Sequence, residues 1–307
     1  MTKRIQVVIN PASGQNRPIL RTLSTVFDQA GIRWEVSITM QHGDACRLAR
    51  EAAQSGVDVV AVYGGDGTIA DAAAGLAGQG VPLAILPGGT ANNMAHELGI
   101  PVNLAQAAKL VVEGGAVQPI DLGRVGKRLF LVRLSIGLLA DAVLGAGAET
   151  KAQFGELAYI FAALQAMREP LAARYPVTVD GRTEEVEGVG AFIANSGSAA
   201  LHGVPLAPHV DVSDGLLDVV VFQRADLPSV ISYAVSAAAP DILPMLLPHW
   251  RGREIAISAE PPHTVAVDGE PLGQTPLTAS VVPGALAVIV PATVRLGVSK
   301  RAQVERT

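Results

Sequence analysis

Three times before Met94 the chain runs from a short apolar stretch into a polar, glycine-bearing loop and then into a helical pattern. No other feature constrains the fold as tightly. Residues 5–9 lead into Asn10-Pro11-Ala12-Ser13-Gly14, residues 57–63 into Gly64-Gly65-Asp66-Gly67-Thr68, and residues 82–86 into Pro87-Gly88-Gly89-Thr90-Ala91-Asn92-Asn93. Nearly continuous apolar runs mark strands buried on both faces of a parallel sheet. Helices are predicted over residues 18–30 and 68–76, and a further strand over 34–39. Asp44 is placed to cap another helix, in which Ala45, Leu48, Ala49, Ala52 and Ala53 share one face. This alternation predicts an α/β domain with a doubly wound parallel sheet. Ligands of such sheets sit beyond the carboxyl ends of the strands, where all three loops lie.

Glycine lets a backbone come close to a phosphate, and the amides of a helix N-terminus point at the anion. A β-branched side chain at Gly65 should therefore block that approach and resist a positive φ. Asp66 is unusual in a phosphate cradle, because a carboxylate repels phosphate unless a metal compensates. On this loop alone, a plain Asp-Gly turn with Thr68 as helix cap explains the residues equally well. Three such loops on one sheet edge favour a nucleotide site.

After about Asp121 the texture changes. A strand is predicted over 129–138 and a helix over 156–167. Short β-rich runs follow, punctuated by Asp180-Gly181, Asp214-Gly215 and Asp268-Gly269, which are hairpin signals. The second half is expected to be an antiparallel sandwich or barrel, with a last strand over 285–291. A length of 307 residues suits two domains. The boundaries fall at 1–122 and 123–291, with 292–307 free to return to the first. With 49% hydrophobic but only 4% aromatic residues, the core must be built from Ala, Val, Leu and Ile. The net charge of −5 argues against a nucleic-acid partner. Cys46 is the single cysteine, which excludes an internal disulfide and points to a reducing, cytoplasmic setting. The longest apolar stretches are broken by Pro82, Pro87, Pro240 and Pro244, so any membrane contact is expected to be peripheral. The six histidines have no metal-binding spacing and are assigned to the surface or a cleft, and no Gly-x-Ser-x-Gly nucleophile elbow is present.

The three loops resemble the signatures of the diacylglycerol kinase catalytic domain family, the bacterial lipid kinases related to sphingosine and ceramide kinases. Downstream, Asp121-Leu122-Gly123, Ser135-Ile136-Gly137, Gly155-Glu156-Leu157, Pro205-Leu206-Ala207-Pro208, Asp214-Gly215-Leu216 and Asp268-Gly269-Glu270 keep the family's order. The resemblance implies a nucleotide domain like that of phosphofructokinases and NAD kinases, a β-sandwich lipid-substrate domain, and an active site between them. It implies transfer of the γ-phosphoryl of ATP to a lipid hydroxyl, with Mg²⁺, at a membrane surface. Carried over by position, Asn10, Ser13, Thr39, Gly64, Gly65, Asp66, Gly67, Thr68, Ile69, Gly88, Gly89, Thr90 and Asn92 contact the nucleotide. Glu270 is the proton acceptor, with Asp66, Asp121 and Asp268 as further catalytic acids. By the same match, the backbone of Asp211 and Leu216 and the side chain of Asp214 would hold a magnesium ion that tethers the β-domain. A homodimer is left open.

One position departs from the pattern. Relatives often have Asn-Asp-Phe after the third loop, where this chain has Asn92-Asn93-Met94. A neutral amide brings no charge for Mg²⁺. Two alternatives stand beside the lipid kinase: an NAD kinase-like enzyme, which shares a Gly-Gly-Asp-Gly-Thr loop, and, because of Asn93, a non-catalytic nucleotide-binding regulator on the same fold.

Overall fold

The chain folds into two compact units, one comprising the residues up to Asp121 with the chain from Gly284 onward, the other Leu122–Pro283. The computed structural model describes residues 3–14, 18–145, 172–197, 210–223 and 247–296. The helix expected over 156–167 and the motif at 205–208 lie outside the described residues.

In the first unit the order is β1 (Arg4–Ile9), α1 (Ile19–Gln29), β2 (Arg33–Ile38), α2 (Asp44–Gln54), β3 (Val59–Gly64), α3 (Asp66–Leu76), β4 (Leu83–Pro87), α4 (Asn93–Glu97) and α5 (Leu104–Glu113). Strands β2, β1, β3 and β4 lie side by side and pair in parallel. Chain order steps outward in opposite directions from β1, to β2 on one side and to β3 and β4 on the other. The carboxyl ends of β1 and β3 therefore flank the topological switch point, where open α/β sheets bind ligands. Every residue of β3 and β4 is buried, as their unbroken apolar runs require.

Small side chains set the layer spacing. Ala45, Ala49 and Ala52 of α2 are buried, as are Ala72, Ala73 and Gly75 of α3. A Cβ on Gly75 would land on the backbone carbonyl of Cys46, so the two helices touch backbone to backbone there. The cap of α2 differs from expectation. Gly43, at φ +82°, is the cap residue, and Asp44 sits one position inside the helix. Its carboxylate accepts the amides of Met40 (2.9 Å) and Gln41 (3.1 Å), and the Met40 amide together with the Arg47 guanidinium holds it below the usual range.

Two strands begin in one unit and end in the other: β5 (Ala116–Val125) and β16 (Leu277–Val290). Asp121 of β5 accepts the amide of Gly284 of β16 at 2.7 Å. The last strand is thus longer than the expected 285–291. Its second half pairs with β4 in parallel, Val288 opposite Leu83.

The second unit contains two antiparallel sheets. One runs β12 (His249–Gly252), β11 (Leu217–Phe222), β10 (Gly190–Ala194), β7 (Arg133–Gly137), β14 (Thr264–Val267) and β15 (Glu270–Gln274). The other pairs the first half of β16 with β13 (Glu254–Ile257), then β8 (Ala173–Val179) and β9 (Arg182–Gly188). Their buried faces share one core, with Leu134, Ile136, Ile193 and Val219 from the first sheet and Tyr175, Val177, Ile255 and Ala279 from the second. The unit is a sandwich. Helix α6 (Leu138–Gly145) follows β7.

Two of the three Asp-Gly pairs are hairpin tips. Asp180-Gly181 joins β8 to β9 and Asp268-Gly269 joins β14 to β15, each with positive φ at both residues, as a type I′ turn demands. Asp214-Gly215 instead belongs to the loop that enters β11. The strand expected over 129–138 is two strands, β6 (Arg128–Phe130) and β7, because the amides of Leu131, Val132 and Arg133 turn to Asp268 instead of a neighbouring strand.

Gly75→Ala tests the helix contact. It should destabilise the first unit by about 1–3 kcal/mol, the usual cost of overpacking a closed interior. Gly67→Ala, in open space on α3, should leave stability unchanged or raise it by about 0.5–1 kcal/mol. Urea unfolding midpoints of the two variants check both outcomes.

Candidate active site

The three loops converge on one buried side chain, Tyr63, the penultimate residue of β3. A Cβ on Gly88 would stand 2.7 Å from the Tyr63 ring, and one on Gly14 would land on the Tyr63 hydroxyl. The amide of Asn10 donates to the Tyr63 carbonyl at 2.9 Å. Tyr63 is thus the post on which the first and third loops rest. The motif reading did not single it out, although it stands directly before Gly64-Gly65.

The second and third loops meet at Gly65 and Gly89. A Cβ on Gly89 would stand 2.6 Å from the Gly65 Cα, and the Gly88 amide donates to the Gly64 carbonyl at 2.9 Å. Gly65 has φ −85° and ψ −179°, an extended conformation open to any residue. The expectation that it needs a positive φ is therefore corrected: a Cβ on Gly65 would meet the Gly89 Cα at an ordinary 3.4 Å, and it is Gly89 that has no room for a side chain. Helix α3 begins at Asp66, so Thr68 lies in its first turn and is not its cap. The opening amides of a helix lack intrahelical acceptors and carry the positive end of its dipole.

Side chains lock the loops. Asn10 Nδ2 donates to Thr68 Oγ1 at 2.8 Å, and Asn10 Oδ1 accepts the Ala12 amide at 3.0 Å. The Ser13 amide turns back to the Asn10 carbonyl at 3.1 Å. Asn92, in the left-handed region at φ 49°, accepts the Gly89 amide (2.9 Å) and donates to the Gly89 carbonyl (2.8 Å). The Gly89 amide is therefore engaged by Asn92. Asp66 Oδ1 accepts the Met94 amide at 3.2 Å, and Asn93 Nδ2 donates to Asp66 Oδ2 at 3.4 Å. Asn93, the departure from the family pattern, thus faces Asp66 as a donor where an aspartate would bring a second negative charge. Thr39 is buried and its amide donates to the Ile9 carbonyl at 2.9 Å, beside the end of β1. Thr90 is exposed and Ile69 buried. All of the expected nucleotide residues lie on the carboxyl edge of the first sheet.

The expected acids of the second unit divide into two kinds. Asp268 accepts three backbone amides, from Leu131 (2.7 Å), Val132 (2.9 Å) and Arg133 (2.9 Å), while its own amide donates to the Arg133 carbonyl. Burial pushes its carboxyl upward and the three amides pull it back. That is the geometry of an anchor. Glu270, the first residue of β15, is exposed. Asp121, in the first unit, is buried on the Gly284 amide.

Of the groups expected to hold the tethering magnesium, the Asp214 side chain is otherwise engaged. Asp211 Oδ1 accepts the Ser213 amide (2.9 Å) and hydroxyl (2.6 Å), and Asp214 Oδ1 accepts the Leu216 amide at 3.0 Å. Asp214 Oδ2 pairs with the Arg251 guanidinium, whose Nε also donates to buried Asp218 at 3.0 Å. His249 Nε2 meets the same Asp218 oxygen at 2.6 Å, and His263 meets the Tyr175 hydroxyl, so these two histidines are partly buried partners and not surface groups. Among the described residues, no group of three or more His, Cys, Asp or Glu side chains is placed to hold a metal ion. Likewise, none of the described helices is long and apolar enough to cross a membrane.

Comparison with known proteins agrees with this architecture. Residues 4–125 match the model of the diacylglycerol kinase catalytic domain, and residues 134–290 that of the YegS C-terminal NAD kinase beta sandwich-like domain. A probable lipid kinase YegS-like of Pseudomonas putida is 32% identical, over 94% of this chain and 96% of its own length. The diacylglycerol kinase of Bacillus subtilis is 28% identical, over 89% and 92%. The crystal structure of a diacylglycerol kinase from Bacillus anthracis superposes with a TM-score of 0.79 at 30% identity, covering 95% of this chain and 98% of that one. With both family models matched in order and such identity along nearly its whole length, the chain belongs to the diacylglycerol kinase catalytic domain family of lipid kinases.

Proposed function

We propose that this kinase transfers the γ-phosphoryl of ATP to a hydroxyl of a membrane lipid such as diacylglycerol, at the surface of a bilayer that it touches only peripherally. The observation that carries the nucleotide half is the Gly65–Gly89 approach. Two glycines meet backbone to backbone, one of them capping a helix at the switch point of the sheet, where a Cβ on Gly89 would clash, so a phosphate can come close to bare backbone. The α3 amides suit phosphate oxygens, and Thr39, Asn10 and Ser13 line the same sheet edge. Phosphoryl transfer asks the protein mainly for positioning and charge neutralisation.

Magnesium bound with the nucleotide would neutralise phosphate charge. Asp66 is the carboxylate at the loop that would hold it, and one carboxylate suffices for an ion held mostly by phosphates and water. Asn93 and the Met94 amide orient that carboxylate. For the lipid half, Glu270 is the best base. It is exposed, so a hydroxyl can reach it, whereas Asp268 is occupied by three amides and Asp121 binds Gly284. A carboxylate within hydrogen-bond reach of an alcohol can take its proton as the bond to phosphorus forms. Meeting of the two substrates in a cleft between the domains is part of the proposal.

ATP consumption against a panel of lipid alcohols in mixed micelles, with NAD as control acceptor, tests the reading. Turnover with at least one lipid and none with NAD is expected. Phosphorylation of NAD alone would favour an NAD kinase-like enzyme, and ATP binding without any turnover a regulator.

Two variants probe the halves separately. Gly89→Ala should reduce ATP affinity at least tenfold by calorimetry, because its methyl group must displace Gly65. Wild-type affinity in a folded Gly89→Ala protein would remove the cradle from the nucleotide site. Glu270→Gln should keep ATP affinity and fold while kcat drops by about 10²–10⁴, the usual range for loss of a general base. Near-wild-type turnover would exclude Glu270 as the proton acceptor.

A further inference from the structure

The geometry points to Arg251 as the resident cation of the 211–216 loop, filling the role that the family resemblance gives to a magnesium ion. The strand ladder itself delivers this charge. Asp218 of β11 and Arg251 of β12 stand directly opposite in the antiparallel register, one residue after the pair Leu217 and Gly252. From that position the Nε–Nη2 edge of the guanidinium addresses two carboxylates at once, Nε donating to Asp218 at 3.0 Å and Nη2 to Asp214. A planar fork with fixed donors suits such bridging, and it stays protonated at any working pH.

The same contacts leave a divalent ion badly served. Magnesium demands a nearly octahedral shell of oxygens at about 2.0–2.1 Å. Asp214 Oδ2 already carries a positive charge, which would repel the ion, and Asp214 Oδ1 is turned to the Leu216 amide. The Asp211 carboxylate, which accepts the Ser213 amide and hydroxyl within its own turn, offers no replacement, and the backbone carbonyls of Asp211 and Leu216 carry no net charge to offset that repulsion. His249 adds a donor to Asp218 from the other side. The loop into β11 is thus tied to β12 by a side chain of the chain itself. The magnesium requirement of the whole protein is then confined to the nucleotide. This inference concerns the fold of the second unit and is read from stability, so it stands or falls apart from the proposed activity.

The test uses the full-length, nucleotide-free protein, unfolded thermally in EDTA and in millimolar MgCl₂ or CaCl₂. An ion that binds the folded state raises the midpoint by mass action. The wild-type midpoint should stay within about 1 °C across these buffers, since without a site that term vanishes. A saturable rise with Mg²⁺ or Ca²⁺ that Asp214→Asn abolishes would overturn the inference. Arg251→Met removes the charge while keeping bulk. It should lower the midpoint in EDTA and recover part of the loss on addition of either ion, because two carboxylates are then left without their cation. An Arg251→Met protein unchanged in both buffers would also overturn it. Should Arg251→Met fail to fold, metal content decides. Wild-type protein equilibrated with Mg²⁺ and rapidly desalted should hold far less than one ion per chain, whereas a stoichiometric ion lost in Asp214→Asn refutes the role of Arg251.

Discussion

The first unit depends on the exclusion of side chains around Tyr63 and between Gly65 and Gly89. A buried tyrosine at the end of the central strand supports the first and third loops, and a glycine-to-glycine contact closes the second against the third. Every other feature of the nucleotide edge follows from that closeness. Asn10 can reach Thr68 only because the first loop is drawn over β3, and Asp66 can accept the Met94 amide only because the third loop is drawn against α3. Small helix residues serve the same end one layer out, where α2 and α3 meet at Gly75. A core poor in aromatics is what allows backbones to approach this far.

In the second unit a different device organises the acids. Asp268 gathers three successive amides and thereby breaks one apolar run into β6 and β7. The anchored type I′ turn leaves Glu270 at the start of β15, exposed and held in register by its hairpin. One carboxylate of the Asp-Gly-Glu motif is thus an anchor and the other is exposed. The tip itself is pinned: both residues of the turn sit at positive φ, and the aspartate accepts three amides.

Charge is handled locally in both units. In the first, the Asn93 amide faces Asp66, so a single negative charge sits where the second and third loops meet. In the second, the acids at Asp214 and Asp218 are bridged by Arg251 from the neighbouring strand.

The fold class was legible in the sequence because it is written in local periodicity. Unbroken apolar runs ending in glycine loops can only be parallel strands feeding helices, and two of the three Asp-Gly pairs are the hairpins they suggest. The gathering of the three loops was legible for the same reason, since strand-end loops must lie on one side of a doubly wound sheet. The partners of those loops were decided by the tertiary structure. Tyr63 as the post, Asp268 as an anchor, the Asp121–Gly284 contact and the Arg251 bridge all join residues far apart in the chain or across strands. Their meeting depends on register and crossing distance, which no local pattern encodes. Residue type and spacing settled which groups could bind phosphate or a proton; packing decided which of them were already occupied.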